Sequence, residues 1–141
     1  MKHNKIISVA IALCVTAFFT MGSAPSVSAL TPVPVTITGV YDFSTFPYVT
    51  GTFTTTGALI ISGVSTMLIG PNFNGTIAHC VVTLFAPLGN IIIDQECQFA
   101  TNPPKGRWEI VSGTGAYANL NGNGSLTMPG NEEAMTGFIY H

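Results

Sequence analysis

From residue 33 onward, short apolar runs alternate with turn residues, and no window keeps the spacing of an amphipathic helix. The runs are rich in Val, Ile, Thr, Phe and Tyr, and each one ends at Gly, Pro or Asn. This pattern is typical of a β-sandwich or a β-barrel. Because the connections are short, strands that follow one another should pair antiparallel. The predicted strands are residues 33–43, 48–56, 58–69, 75–85, 90–99, 106–112, 115–120, 122–128 and 133–140.

The first 29 residues have the pattern of a signal peptide. Lys2 and Lys5 give a basic start, and residues 6–19 follow as a mostly apolar run without a charge. That run is too short for a membrane span, which needs about 20 apolar residues, and VSA at residues 27–29 resembles a cleavage site. We therefore predict cleavage after Ala29 and one domain at residues 30–141. The expected location is secreted or periplasmic, with no membrane span after cleavage.

Charged side chains are scarce, with six acids and four bases in 141 residues. Beyond residue 29 the only bases are Lys105 and Arg107, which are too few to neutralise a run of phosphates. Nucleic acid is therefore not an expected partner. Glu132 and Glu133 follow a Pro-Gly-Asn turn, and we interpret both as ordinary solvated charges.

Cys80 and Cys97 are the only cysteines after residue 29. A turn centred between Leu88 and Gly89 would place them directly opposite each other in an antiparallel hairpin, within reach of a disulfide. An exported protein meets an oxidising environment, so we predict this bond; two buried free thiols are the alternative.

The same register assigns the two faces of the hairpin. One face is apolar apart from Gln95 and is expected to lie in the core. The other face carries most of the polar side chains. His79, Asp94 and Glu96 on that face could be metal ligands, but a solvated outer face is the favoured interpretation. Neither a metal nor another cofactor is predicted.

The stretch GRWEIVSGTGAYANLNGNGSL, at residues 106–126, contains five glycines and allows two interpretations. A phosphate-binding loop is one, because Gly113, Gly115 and Ala118 meet the looser form of the dinucleotide fingerprint. However, no P-loop lysine follows, and the next residues are not helical, so an anion would find no helix dipole. Glycine at 113 and 115 permits a tight bend between strands, and we therefore predict a corner of a small β-barrel.

The segment GTGAYANLNGNG at residues 113–124, with TGTFTTTGALIISG before it and MTGFIY after it, resembles a known group. These are small secreted bacterial proteins related to the allene oxide cyclase and dirigent β-barrels. The resemblance is carried by the C-terminal part of the chain and is weak before Gly51. It implies a small antiparallel eight-stranded β-barrel, often oligomeric, with an apolar cavity. The catalytic positions of the plant cyclases match no residues here, so catalytic residues are not assigned.

Two functions follow as hypotheses. The first is a secreted barrel that binds an apolar small molecule or assembles with partners, including copies of itself. The second is a cyclase or isomerase that acts on a hydrophobic substrate in the barrel cavity. An ionisable side chain facing an apolar lumen would favour the enzyme. The candidate ligand-binding residues are Glu96, Glu109 and Tyr117. Residues 74–76 and 123–125 also match the glycosylation sequon.

Overall fold

The computed structural model describes residues 30–141, and the predicted signal peptide lies outside the described residues. Eight antiparallel strands close into a barrel, which confirms the predicted all-β, eight-stranded fold. Each strand pairs with the next, and the last pairs with the first. Within residues 30–141, no helix is long and apolar enough to cross a membrane. The strands are β1 (Val33–Asp42), β2 (Tyr48–Gly57), β3 (Ser62–Ile69), β4 (Ile77–Ala86), β5 (Gly89–Gln98), β6 (Lys105–Gly113), β7 (Asn121–Thr127) and β8 (Glu132–Tyr140).

The loops leave the barrel at two ends. The β1–β2, β3–β4, β5–β6 and β7–β8 loops share one end, which we call the aromatic end because three of them carry Phe43, Phe46, Phe73 and Phe99. The β2–β3, β4–β5 and β6–β7 loops share the opposite end, which we call the corner end.

Inward-facing side chains fill the lumen of the barrel. Along every strand, buried and exposed residues alternate, as expected for strands with one face in the core and one in water. An eight-stranded barrel has an interior just wide enough for side chains to fill. Phe53, Met67, Trp108 and Met135 are among the largest fully buried side chains, and they occupy this space.

Aromatic rings inside the barrel lie over glycines of their own strand and of other strands. A Cβ added at Gly39 would come within 2.8 Å of the Tyr41 ring, and one added at Gly51 within 2.7 Å of the same ring. A Cβ added at Gly137 would come within 2.8 Å of Trp108 Cζ2. These glycines therefore make room for large rings in a narrow lumen.

The glycine-rich stretch forms a corner at the end of β6. Gly115 has φ +58° and begins a short 3₁₀ helix, Gly115–Tyr117. The Ala116 N–H donates to the Leu88 carbonyl oxygen at 3.0 Å, so the corner docks on the β4–β5 turn. A Cβ at Gly115 would overlap that oxygen. The strand predicted at residues 115–120 is therefore wrong, because the chain turns there.

The register predicted for the β4–β5 hairpin is wrong by two residues. Cys80 lies opposite Gln95, and Cys97 lies opposite Ala78. The reason is the position of the two-residue turn, which is Pro87-Leu88 and not centred between Leu88 and Gly89, because Gly89 already pairs with Ala86. The two cysteines are free thiols, so the predicted disulfide is not present.

The predicted faces of this hairpin are nevertheless correct. Cys80, Gln95 and Cys97 are buried and point into the lumen, while His79 lies on the outer surface. A two-residue shift preserves the face of every side chain, whereas a one-residue shift would exchange the faces. The shift does change the partners, so His79 lies opposite Glu96 rather than Gln98.

Candidate functional site

Glu133 is a fully buried carboxyl group inside the barrel. It stands near the start of β8 and points into the lumen, so its interpretation as a solvated charge is wrong. The Tyr41 hydroxyl donates to Glu133 Oε2 at 3.2 Å. Gly39 lies opposite Glu133 in β1, and its missing side chain leaves room for the Tyr41 ring. A carboxyl–phenol pair is therefore built into a mainly apolar core.

Two further polar side chains complete this polar cluster, which comprises Tyr41, Ser65, Gln95 and Glu133. The Gln95 amide nitrogen donates to Met135 Sδ at 3.2 Å. Among the described residues, no hydrogen-bond partner is found for Ser65 Oγ, Gln95 Oε1 or Glu133 Oε1. An unpaired buried polar group costs about 1–3 kcal/mol. The cluster thus presents oxygen atoms that a hydrogen-bond donor would satisfy.

The surroundings of Glu133 move its titration towards neutral pH. Burial raises the pKa of Glu133 to about 7, although the nearby Gln95 amide and the Tyr41 hydroxyl oppose the rise. Burial, and next the Glu133 carboxylate, raise the pKa of Tyr41 far above its usual range, so its hydroxyl remains a donor. A carboxyl group that titrates near neutrality in apolar surroundings can give or accept a proton.

The two lumen thiols, Cys80 and Cys97, influence each other's titration. The Cys80 thiol, and next burial, raise the pKa of Cys97 strongly. The Cys97 thiol lowers the pKa of Cys80, against the effect of burial. Both residues are buried, which makes them poorly accessible to reagents in the folded protein.

The three predicted ligand-binding residues do not form one site. Glu96 and Glu109 lie on the outer surface, where both line a shallow groove of about 600 Å³ across β5, β6 and β7. Tyr117 is buried at the corner end, in the β6–β7 loop. None of the three belongs to the polar cluster.

The outer groove also contains the residues considered as metal ligands. Glu96 accepts a hydrogen bond from Arg107 at 3.1 Å, and His79 Nε2 lies 4.0 Å from Glu96 Oε2. Asp94 is exposed and lies opposite Glu109 in β6. Within residues 30–141, no group of three His, Cys, Asp or Glu side chains could hold a metal ion.

A concave apolar surface, which we call the end pocket, lies at the aromatic end. Its volume is about 570 Å³, and its exposed members include Phe46 from the β1–β2 connection and Tyr48 at the start of β2. The Phe73 ring packs edge-on against Phe99, with 5.4 Å between the ring centroids. The residues that line the end pocket are Phe46, Pro47, Tyr48, Leu68, Ile69, Gly70, Pro71 and Phe73.

The sequence did contain a signal for Glu133. In a strand, residues two positions apart share a face, and Glu133 alternates with Met135, Gly137 and Ile139. That pattern places it inward, but its position beside a turn favoured a solvated charge. The end pocket had no comparable signal, because its residues come from separate loops and strands.

Comparison with known proteins gave no match, whether with protein-family models, with curated proteins or with solved structures.

Proposed function

We propose that the protein is an exported β-barrel that binds an apolar small molecule at its aromatic end. The observation that carries this proposal is the end pocket, a concave surface lined mainly by aromatic, aliphatic and proline side chains. Its volume of about 570 Å³ lies within the range of small-molecule sites, about 300–1,000 Å³. Side chains fill the lumen itself, which makes the end pocket the better candidate for an apolar ligand.

Exposed aromatic groups at this end provide the driving force. Phe46 and Tyr48 are 57% and 67% exposed, and Phe73 stands beside them at the pocket wall. Covering a large apolar side chain stabilises a complex by about 1.5–3 kcal/mol relative to leaving it in water. The pocket residues carry no charge, so selection by this site would depend on shape and apolar contact.

Titration with a neutral fluorescent probe, N-phenyl-1-naphthylamine, tests the proposal. Phe73→Ala removes part of the pocket wall, and Phe85→Ala is a matched control because both rings are 39% exposed. Phe85 lies on the outer face of β4, outside the pocket lining. We expect Phe73→Ala to weaken probe binding by about tenfold, as removing one well-packed aromatic ring costs roughly 1–2 kcal/mol. Equal effects of the two substitutions would exclude the end pocket.

We also propose that the protein associates with a second copy of itself. The end pocket continues onto the outer face of the sheet, where Tyr48, Leu68 and Val81 form a row across β2, β3 and β4. All three are exposed, and contiguous apolar patches of this kind commonly mark interfaces. Sedimentation velocity of the wild type and of Leu68→Lys would test this association. A monomer at every concentration would oppose it.

A cyclase or isomerase acting on a hydrophobic substrate is the second candidate function. The buried Glu133, with a pKa raised to about 7 and a hydrogen bond from Tyr41, favours it. Isomerisation conserves mass, so extracts of the source organism should contain a compound whose retention time changes at constant mass. Glu133→Gln should abolish that conversion, whereas Glu132→Gln, at the exposed neighbouring position, should retain it. Conversion by Glu133→Gln at the wild-type rate would exclude this mechanism.

A further inference from the structure

Three asparagines in this chain precede a glycine, and they lie in two different environments. Asn74-Gly75 is exposed in the β3–β4 loop at the aromatic end. Asn121-Gly122 and Asn123-Gly124 lie in β7, which is paired with β8 along its length. An asparagine side chain can cyclise onto the following backbone nitrogen, and glycine hinders that attack least because it has no Cβ.

The Asn74 side chain is folded back over the backbone that follows it. Its Oδ1 accepts hydrogen bonds from the Thr76 N–H at 2.9 Å and from the Ile77 N–H at 3.0 Å. These bonds hold the amide group beside the following peptide unit, which contains the Gly75 nitrogen. They also place two N–H donors on the oxygen that becomes negatively charged when a nucleophile attacks the amide carbon. Donors in that arrangement stabilise a tetrahedral intermediate.

The space around Gly75 is open. Its φ is +83°, and a Cβ built there would meet nothing within 4 Å. Ring closure at this loop is therefore not obstructed by neighbouring groups.

We propose that Asn74 is a self-modification site, which converts to aspartate and isoaspartate through a cyclic imide. In the first step, the Gly75 nitrogen loses its proton and forms a bond to Asn74 Cγ. The bond from Cγ to Nδ2 breaks, and the nitrogen leaves as ammonia. In the second step, water adds to one of the two imide carbonyls and opens the ring. Neither step requires an oxidant or a reductant.

The strand asparagines provide an internal comparison. Asn123 faces Glu109 on one side and Phe138 on the other, so its backbone is held in extended form by two ladders. A Cβ added at Gly124 would overlap the Thr136 carbonyl oxygen, which shows how closely β8 approaches there. Cyclisation at either strand asparagine requires local opening of the barrel, which is a minor population in a stable fold.

The consequence at Asn74 is a change in charge and in backbone length. Both products add one negative charge to the loop. Isoaspartate also routes the backbone through the side chain, so the oxygen that accepts from the start of β4 becomes a main-chain carbonyl in a longer backbone. Phe73 precedes this residue and lines the end pocket, so the modification takes place beside that surface.

Peptide mass spectrometry of the folded full chain, incubated at mildly alkaline pH, tests the proposal. We expect conversion at Asn74 to exceed conversion at Asn121 and Asn123 by more than about tenfold, since those sites must open first. Isoaspartate should form together with aspartate, because water can open the ring on either side. In denaturant, all three sites should convert at similar rates.

Gly75→Ala should slow conversion at Asn74, because the added methyl group hinders closure. Gly130→Ala is the matched control, since Gly130 also has a positive φ, of +70°, and open space around it. It should leave the rate at Asn74 unchanged. Equal rates at the loop and strand sites of the folded protein would overturn the proposal. So would conversion to aspartate alone, which indicates direct hydrolysis without an imide.

Discussion

Replacing Glu133 with glutamine should make the protein more stable at neutral and alkaline pH. Among residues 30–141, Glu133 is the one buried acid, and its pKa is raised to about 7 from an ordinary value of 4.5. Ionised Glu133 is therefore disfavoured in the folded chain relative to the unfolded chain. Glutamine keeps the shape and accepts the Tyr41 hydrogen bond without ionising. Its amide nitrogen can also donate to Gln95 Oε1, which has no partner among the described residues.

The sign and magnitude follow from these two pKa values. Below pH 4.5, Glu133 is protonated in both states and carries no penalty. As the pH rises from 4.5 to 7, Glu133 ionises in the unfolded chain but stays protonated in the folded chain, so the free energy of unfolding falls. Above pH 7 the loss is complete, and it amounts to about 3 kcal/mol for this gap. We therefore expect the wild type to lose this free energy of unfolding as the pH rises, and we expect no such loss in Glu133→Gln.

Urea unfolding followed by the fluorescence of Trp108, the only tryptophan in the chain, measures this difference. For a loss of about 3 kcal/mol, the wild-type midpoint should fall by about 1–3 M urea relative to the variant. Glu132→Gln is the control, because Glu132 is exposed next to the same site and should follow the wild type. If Glu133→Gln has the same pH profile as the wild type, the carboxyl group is not desolvated and the reasoning fails.

Two further predictions concern the corner and the thiols. Gly115→Val should lower the melting temperature by more than Gly130→Val does, since both glycines have positive φ but only Gly115 would also overlap the Leu88 carbonyl oxygen. If a nucleotide raised the melting temperature of the wild type but not that of Gly115→Val, the glycine corner would instead be a phosphate-binding loop. Thiol labelling without reductant should find Cys80 and Cys97 unreactive when folded and both reactive in denaturant; no labelling after denaturation would mean that they are bonded in solution.

The strands and their antiparallel order could be predicted from the residues because these determinants are local, whereas the eight-stranded barrel was implied by the resemblance. Val, Ile and Thr runs bounded by Gly and Pro specify strands, and short connections specify antiparallel neighbours. The hairpin of β4 and β5 shows the limit of this reasoning. The alternation of side chains along a strand assigned Gln95 to the core correctly, but the partner of Cys80 depends on the position of one turn. A two-residue error there removed the basis for a disulfide and left both faces unchanged.

The site was less predictable because it is assembled from distant strands. Tyr41 and Glu133 are 92 residues apart in sequence, and they meet because β8 returns to pair with β1. Closure of the barrel, which is a global property, decides that contact. Glu96 and Glu109 were candidates as ionisable side chains that could face the lumen, but the alternation along β5 and β6 turns both of them outward. Local sequence rules therefore located polar residues without showing which of them share the lumen.

Glycine placement explains how a buried carboxyl group can exist in so narrow a barrel. Gly39 pairs with Phe53 of β2 on one side and with Glu133 of β8 on the other. These three inward positions lie side by side, so their side chains would share the same layer of the lumen. A side chain at position 39 would strike the Tyr41 ring, and the ring would have to move away from Glu133. The absence of that side chain lets the phenol lie across β1 and donate to the carboxyl group. An inward glycine next to an inward acid is consequently a stronger sign of a lumen site than either residue alone, because the glycine provides the space that a hydrogen-bonded partner needs.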